Sequence, residues 1–288
     1  MNLKALIRSV RCIQFQTQKL SNHKRLGEVS SSFKGFGMSF SEVREYQFGD
    51  ETRFIDWNVT ARYNHPHVKV FEEEREQVNM LMIDVSKSLD FGENNRTKKD
   101  VVTELFATIG FSCAMNKDRV GAIFFSDQVE CYFEPKVGMK NIWMIASRLI
   151  HWESQKEASN LSSALSYLRS AQLKKFRLFI LSDFHFESSE LQMDALVKTK
   201  KNNRVYALKV NDKSEFRMPK FGFYKLIHSE NGTSTWYNGF SKRDRMQYEK
   251  EHLVNNSFWR SACRKSKIHY LDMSTKEDVF KKLNGLIR

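Results

Sequence analysis

Four cysteines in 288 residues, Cys12, Cys113, Cys131 and Cys263, lie far apart with no Cys-x-x-Cys pair. That scarcity excludes a disulfide framework and a cysteine zinc site, and implies a reduced, cytoplasmic chain. Long apolar runs are missing too, since no stretch approaches the ~20 residues that span a bilayer. The uncharged run from Leu105 to Asn116 stops at 12 residues, inside an amphipathic helical pattern. Arg8 and Arg11 interrupt the N-terminal apolar residues, so no leader-type hydrophobic region forms there. Neither G-x-x-x-x-G-K-[ST] nor G-x-G-x-x-G occurs, which argues against nucleotide binding by this chain itself. No internal repeat or low-complexity segment is visible.

What remains is a chain able to bury a core. Its hydrophobic share is 41% and its aromatic share 13%, with 23 phenylalanines, a composition incompatible with disorder. The formal charge of +13 invites nucleic acid or a membrane surface as partner. Its distribution argues otherwise. Residues 1–30 carry +5 and residues 241–288 carry +6, leaving +2 for the 210 residues between. The excess reads as solvation of the terminal segments, or as a secondary attraction for an acidic partner.

Leu3, Leu6, Ile7, Val10, Ile13 and Leu20 fall at helical spacing, predicting an amphipathic helix over 2–20. Packing onto the body is its expected role, with peripheral membrane association as the alternative. Residues 21–40 read as loop. Beyond residue 76, strand-like runs at 77–84, 119–125, 128–133, 176–183, 204–210 and 267–272 alternate with helical patterns. Those fall at 97–116, 138–151, 160–171, 188–200, 241–265 and 275–287. The alternation predicts an α/β fold, a doubly wound and mostly parallel sheet covered on both faces. Only Ser126 and Asp127 separate two of the strands, so these form a hairpin with an antiparallel edge strand. The expected division is a segment over 1–75 and an α/β domain over 76–288.

In such a sheet, ligands bind beyond the carboxyl ends of the strands. Strand 77–84 ends in Asp84-Val85-Ser86-Lys87-Ser88, the pattern D-x-S-x-S, and strand 176–183 ends in Ser182-Asp183. Ser159 precedes the helix at 160, where it reads as an N-cap. Asp84, Ser86, Ser88, Ser159 and Asp183 thus offer two carboxylates and three hydroxyls on one rim. Oxygen donors without Cys or His suit a hard cation: Mg²⁺, or Mn²⁺ or Ca²⁺. The plainer alternative is that Asp84 and Asp183 merely cap loops.

This arrangement resembles the von Willebrand factor A domain and its metal-ion-dependent adhesion site. There a D-x-S-x-S loop, a Thr before a helix and an Asp after the fourth strand bind Mg²⁺. Ser159 stands here where that family usually has Thr, and Phe184 follows Asp183 where Gly is frequent. The block SEVREYQFGDETRFIDWNVTARYNHPHVKVFEEER at 41–75 narrows the match. With DRVGAIFF at 118–125 and the terminal LDMSTKEDVFKKLNGLIR, it resembles the bacterial domain-of-unknown-function family 58, DUF58, whose domain is A-like. That resemblance implies a metal-dependent protein-binding adaptor without established catalysis. Its implied partners are MoxR-type AAA+ ATPases, often encoded nearby, and other von Willebrand factor A-domain proteins.

Within 41–75, Glu42, Arg44, Glu45, Asp50, Arg53, Asp56, Arg62 and Arg75 mix signs at close spacing, around Tyr46, Phe48, Phe54, Trp57 and Tyr63. Arg–carboxylate pairing suits internal ion pairs that clamp the segment. The competing reading is a partner-recognition surface formed by Arg44, Tyr46, Asp50, Arg53, Asp56, Trp57 and Arg62. His65 and His67 flank Pro66 and are expected in a turn before a strand at 68–71, since no third ligand accompanies them. His185 lies just past Asp183. Lys98 and Lys99, at the start of the helix 97–116, face the same rim in principle, but lysines near helix starts are usually solvated. In the C-terminal helix, Met246, Leu253, Phe258 and Ala262 form the expected core stripe beneath a basic face, which sets nucleic acid aside.

A different class of function uses the same first strand end. Haloacid-dehalogenase-type phosphohydrolases place a nucleophilic Asp there, which would be Asp84. That chemistry needs a second Asp two residues on, where this chain has Ser86, and an acidic pair downstream, where Asp183 stands alone. The expectation is therefore a non-enzymatic adaptor.

Overall fold

The computed structural model describes residues 38–73, 77–92, 96–173, 175–186, 189–216, 222–227, 234–238 and 240–287. The helix expected over 2–20 lies outside these residues. The chain divides into two compact units, residues 19–76 and the body of 77–288.

The body is organised by β3 (Val78–Asp84), whose residues are buried from Asn79 onward. Successive side chains of a strand point to opposite faces. Leu81 and Ile83 accordingly enter one core and Met80 and Met82 the other. A strand apolar on both faces is what a parallel sheet sandwiched between helices requires. Around it lie β4 (Arg119–Phe125), β5 (Val129–Lys136), β6 (Phe176–Ser182), β7 (Arg204–Asn211) and β10 (His269–Ser274). Their order is β10-β7-β6-β3-β4-β5. All pairs are parallel except β4–β5, the antiparallel edge formed by the hairpin at Ser126 and Asp127.

The helices sort by face. α2 (Lys98–Met115), α3 (Met139–Ile150) and α7 (Val279–Ile287) pack on the Leu81/Ile83 side through Phe106, Ile145 and Leu283. On the Met80/Met82 side, α4 (Leu161–Ser170), α5 (Ser189–Lys200) and α6 (Lys242–Lys265) contribute Leu165, Leu196 and Trp259. The core stripe of α6 differs from expectation. Among the described side chains of α6, Trp259 and Cys263 are buried and Phe258 and Ala262 are packed beside them, while Met246 is exposed; Leu253 lies outside the described side chains. The α6 residues one turn apart around Trp259 are those that reach the sheet.

Gly121 sits where neighbouring strands and side chains leave no room for a Cβ. A methyl there would lie 2.7 Å from Met80 Sδ and 2.8 Å from the Phe133 carbonyl oxygen, beside an irregularity in the β4–β5 register. A separate hairpin pairs β8 (Phe223–Ile227) with β9 (Ser234–Asn238). No helix among the described residues is long and apolar enough to cross a membrane.

In the smaller unit, β1 (Met38–Glu45) pairs antiparallel with β2 (His67–Glu73). Between them a 3-10 turn at Thr52–Phe54 leads into α1 (Trp57–Tyr63). Asp56 caps α1 by accepting from the Asn58 and Val59 amides at 3.0 and 3.3 Å, and Asn64 ends it in the left-handed region. Arg44 grips both oxygens of Asp50 at 2.7 and 2.8 Å across the turn at Gly49. His65 and His67 lie at the α1–β2 turn, where His67 Nδ1 is 2.7 Å from the His65 carbonyl oxygen. Val68 is the buried apolar residue among the described side chains of this unit.

Candidate metal centre

The parallel registers carry neighbouring strands to the same height. Ile83 pairs with Leu181, which brings the next residues, Asp84 and Ser182, side by side. Ser182 is in turn level with Lys209, and Lys209 with Asp272. A polar row thus crosses β3, β6, β7 and β10 at the carboxyl rim, beneath which the sheet is apolar.

Asp84 is the focus of this rim, only 1% exposed. Its Oδ1 accepts from the Ser86 amide at 3.0 Å and the Ser86 hydroxyl at 2.7 Å. Its Oδ2 accepts from the hydroxyls of Ser159 and Ser182, both at 2.8 Å. Ser86 Oγ and Ser88 Oγ lie 3.0 Å apart, and Ser88 also hydrogen-bonds Asp183. The first loop is pinned by two backbone bonds, Val85 N–H to the Phe125 carbonyl at 2.8 Å and Lys87 N–H to the Lys156 carbonyl at 2.9 Å. Ser159 reaches the centre because it is not the helix cap. Asn160 holds that role, accepting from the Ser163 amide at 3.2 Å, and its own amide is tied to the Ser126 carbonyl at 2.7 Å. The cap expected at Ser159 therefore falls one residue later, leaving the Ser159 hydroxyl to face Asp84.

Asp183, equally buried, receives the Lys98 ammonium at 2.8 Å and the His185 amide at 3.3 Å. The His185 ring nitrogen Nδ1 stands 4.0 Å from Asp183 Oδ2. Lys98 corrects the expectation of a solvated helix-start lysine, for it is 1% exposed and also bonds Glu215 at 2.5 Å. Lys99 is half-buried and donates to the Trp152 carbonyl. Lys98 has no local signal, because its carboxylates are 85 and 117 residues away in sequence. Ser182 is likewise a member of the centre, legible only from its place at the end of a strand beside β3.

The two carboxylates titrate apart. Burial, reinforced by the Asp183 charge and opposed by the Ser86 and Ser182 bonds, pushes Asp84 up to about 6. Burial would also raise Asp183, but Lys98, His185 and the Ser88 bond outweigh it and hold that carboxyl below its usual range. Burial opposes charge on Lys98, yet Asp183 and Glu215 prevail and its pKa is raised. At Lys209 the balance reverses, because Asp183 and Asp272 favour its charge only from a distance. The lysine is fully buried with no hydrogen-bond acceptor in reach, and burial lowers its pKa.

The donor set fits a hard divalent cation. Octahedral Mg²⁺ with bonds of about 2.1 Å places adjacent oxygens about 3.0 Å apart. Ser86 Oγ lies 2.7 Å from Asp84 Oδ1 and 3.0 Å from Ser88 Oγ, and Ser159 Oγ lies 2.8 Å from Asp84 Oδ2, hydrogen-bond lengths that would also suit neighbouring oxygens around such an ion. Clusters of three or more His, Cys, Asp or Glu are absent among the described residues, so hydroxyls must complete any such site. Beside it, a cavity of about 320 Å³ is lined by Val85, Ser126, Arg148, Trp152 and Lys156, with the Arg148 guanidinium over the Trp152 ring.

The proposed recognition residues of the smaller unit divide by environment. Arg44, Asp50 and Asp56 are engaged internally, the last with Lys69 at 3.4 Å as well as in the α1 cap. Arg53 pairs with Glu51 and lies over Phe54. Tyr46 is half-buried, whereas Trp57 and Arg62 are exposed.

The parallel sheet with one antiparallel edge, and the D-x-S-x-S loop facing an Asp from β6, define a von Willebrand factor A-like α/β protein. The family described as "Protein of unknown function DUF58" matches residues 42–257, and the chain belongs to it. An uncharacterized protein of Mycobacterium tuberculosis, Rv1480, is 29% identical over 209 residues, covering 72% of this chain. An uncharacterized protein of Mycobacterium bovis, Mb1516, matches equally. The chain spans 65% of the length of these curated relatives. Among solved structures, the conserved hypothetical protein BatB of Bacteroides thetaiotaomicron aligns with a TM-score of 0.42 at 13% identity. That alignment covers 73% of this chain and 97% of BatB. A von Willebrand factor type A protein of Catenulispora acidiphila aligns with a TM-score of 0.36 at 11% identity, over 49% and 34% of the two chains.

Proposed function

We propose that the protein is a non-enzymatic, cation-dependent protein-binding adaptor. Asp84, Ser86, Ser88, Ser159 and Asp183 would hold Mg²⁺, directly or through water, and leave a position for an acidic group of a partner. The observation that carries this reading is the convergence of three loops on one buried carboxylate. Ser86, Ser159 and Ser182 all aim hydroxyls at Asp84, next to a second carboxylate from another strand. The metal would supply the positive charge that captures an acidic side chain. The chain's own residues orient the donors and exclude water beneath them.

A MoxR-type AAA+ ATPase is the proposed partner, with other von Willebrand factor A-domain proteins as further candidates, and assembly or maturation of a client protein as the process. Family resemblance supports this assignment, as does the lack of a nucleotide-binding glycine motif in this chain. An ATP-driven partner would put the work in the cytoplasm. Phosphoryl transfer through Asp84 is disfavoured by its surroundings. Ser86 occupies the place of the required second acid, and no acidic pair stands downstream beside Asp183.

The test is capture of a purified MoxR-type AAA+ ATPase from the same organism, with Mg²⁺ and with EDTA, by the wild-type chain and by Asp84→Ala. Capture should require both Mg²⁺ and Asp84. Equal capture in EDTA by a folded Asp84→Ala variant would overturn the reading, and turnover of a phosphate ester lost in that variant would revive the enzyme.

A further inference from the structure

Lys98 is an unusual residue to bury at this rim. It is the first residue of α2, inside the Thr97–Asp100 capping box, where the helix dipole disfavours a cation. Taking an ammonium out of water is costly unless it is paired. Two carboxylates from different strand ends repay it, Asp183 after β6 at 2.8 Å and Glu215 after β7 at 2.5 Å. Glu215 is held in its turn, since its Oε2 accepts from the Asp212 amide at 3.3 Å and its carbonyl accepts from the Tyr248 hydroxyl at 2.7 Å. The ammonium therefore stands as a fixed positive charge against a carboxylate that also faces the hydroxyl cluster.

Resting on the cation site proposed above, we propose that Lys98 is a positioning residue that sets the site's charge, with Glu215 dividing its influence. A divalent cation at the rim shares Asp183 with Lys98. The carboxylate charge available to that cation is less than two, which keeps affinity modest and the cation under-neutralised. Ligand charge count is one of the levers by which oxygen sites tune cation affinity. Glu215 draws the ammonium away from Asp183, so the strength of Asp183 as a ligand depends on a residue that touches no metal. This accounts for a buried lysine that neither the helix nor the sheet core requires.

The experiment is calorimetric titration of the full chain with Mg²⁺ alone and with Ca²⁺ alone, for wild type, Lys98→Met and Glu215→Gln. Circular dichroism serves as the control for folding. Lys98→Met should bind both ions about tenfold tighter or more. Glu215→Gln should move the other way, weakening both by about threefold or more. A scaffold role alone would leave affinity unchanged or lower in Lys98→Met, and that result overturns the inference. If Lys98→Met does not fold, Glu215→Gln decides, and unchanged or tighter binding there refutes the proposal. A wild type that takes up Mg²⁺ while folded variants match it sinks the Lys98 role alone. Silence of wild type and both variants toward both ions sinks the cation site itself, and this inference with it.

Discussion

Neutralising Asp84 should stabilise the protein at neutral pH in the absence of metal. Asp84 is buried, and its folded pKa of about 6 lies above the usual carboxylate value of 3.8. The native state therefore holds this proton more tightly than the unfolded chain. Relative to a permanently neutral side chain, its effect is nil below pH 3.8, grows unfavourable as pH rises to 6, and is a full penalty above that. Two units correspond to about 3 kcal/mol at pH 7 and above. Asp84→Asn keeps the shape and removes the ionisation. The amide retains an acceptor for Ser86, while Ser159 and Ser182 must rotate to accept, a loss of about 1 kcal/mol. The net gain is thus about 2 kcal/mol at pH 8 in EDTA, shrinking to zero or a small deficit near pH 4. Urea denaturation of both proteins at pH 8, 6 and 4 measures it. With saturating Mg²⁺ at pH 8 the order should close or invert, because only wild type gains binding energy on top of folding. An Asp84→Asn variant less stable than wild type by the same amount at every pH would refute the electrostatic reasoning.

Other perturbations separate scaffold from site. Asn160→Ala removes the α4 cap and should cost about 1 kcal/mol by thermal denaturation, while also weakening Mg²⁺ binding through the displaced Ser159; unchanged Mg²⁺ affinity would show that the cap does not position Ser159. Gly121→Ala drives a methyl against Met80 and the Phe133 carbonyl and should cost about 1–3 kcal/mol, with cation binding retained in the folded fraction. Asp56→Ala should lower the stability of the smaller unit by about 1 kcal/mol, read by proteolysis, without changing Mg²⁺ affinity.

The parallel body was legible because its central strands are apolar on both faces and α3, α4 and α7 carry one-sided apolar stripes, whereas α2 is buried around most of its circumference. The D-x-S-x-S loop was legible for a related reason, since strand ends locate the rim. Lys98 was not, because the rule that helix-start lysines are solvated is local, while its two carboxylates arrive from distant strands. Ser159 illustrates a one-residue limit: its hydroxyl is at the centre only because Asn160 takes the cap. Met246 was misplaced because α6 reaches the sheet through Trp259 instead. In the 41–75 block the charges announced their pairing, yet α1 has no buried residue and hence no stripe to read.

The central claim is that the Asp84 rim is a hard-cation site, and Mn²⁺ provides the most direct probe. Electron paramagnetic resonance at pH 7.5 should show one Mn²⁺ bound per wild-type chain, displaceable by Mg²⁺, and none in a folded Asp84→Ala variant. Mn²⁺ bound equally by that variant, or not bound by wild type at all, would contradict the account.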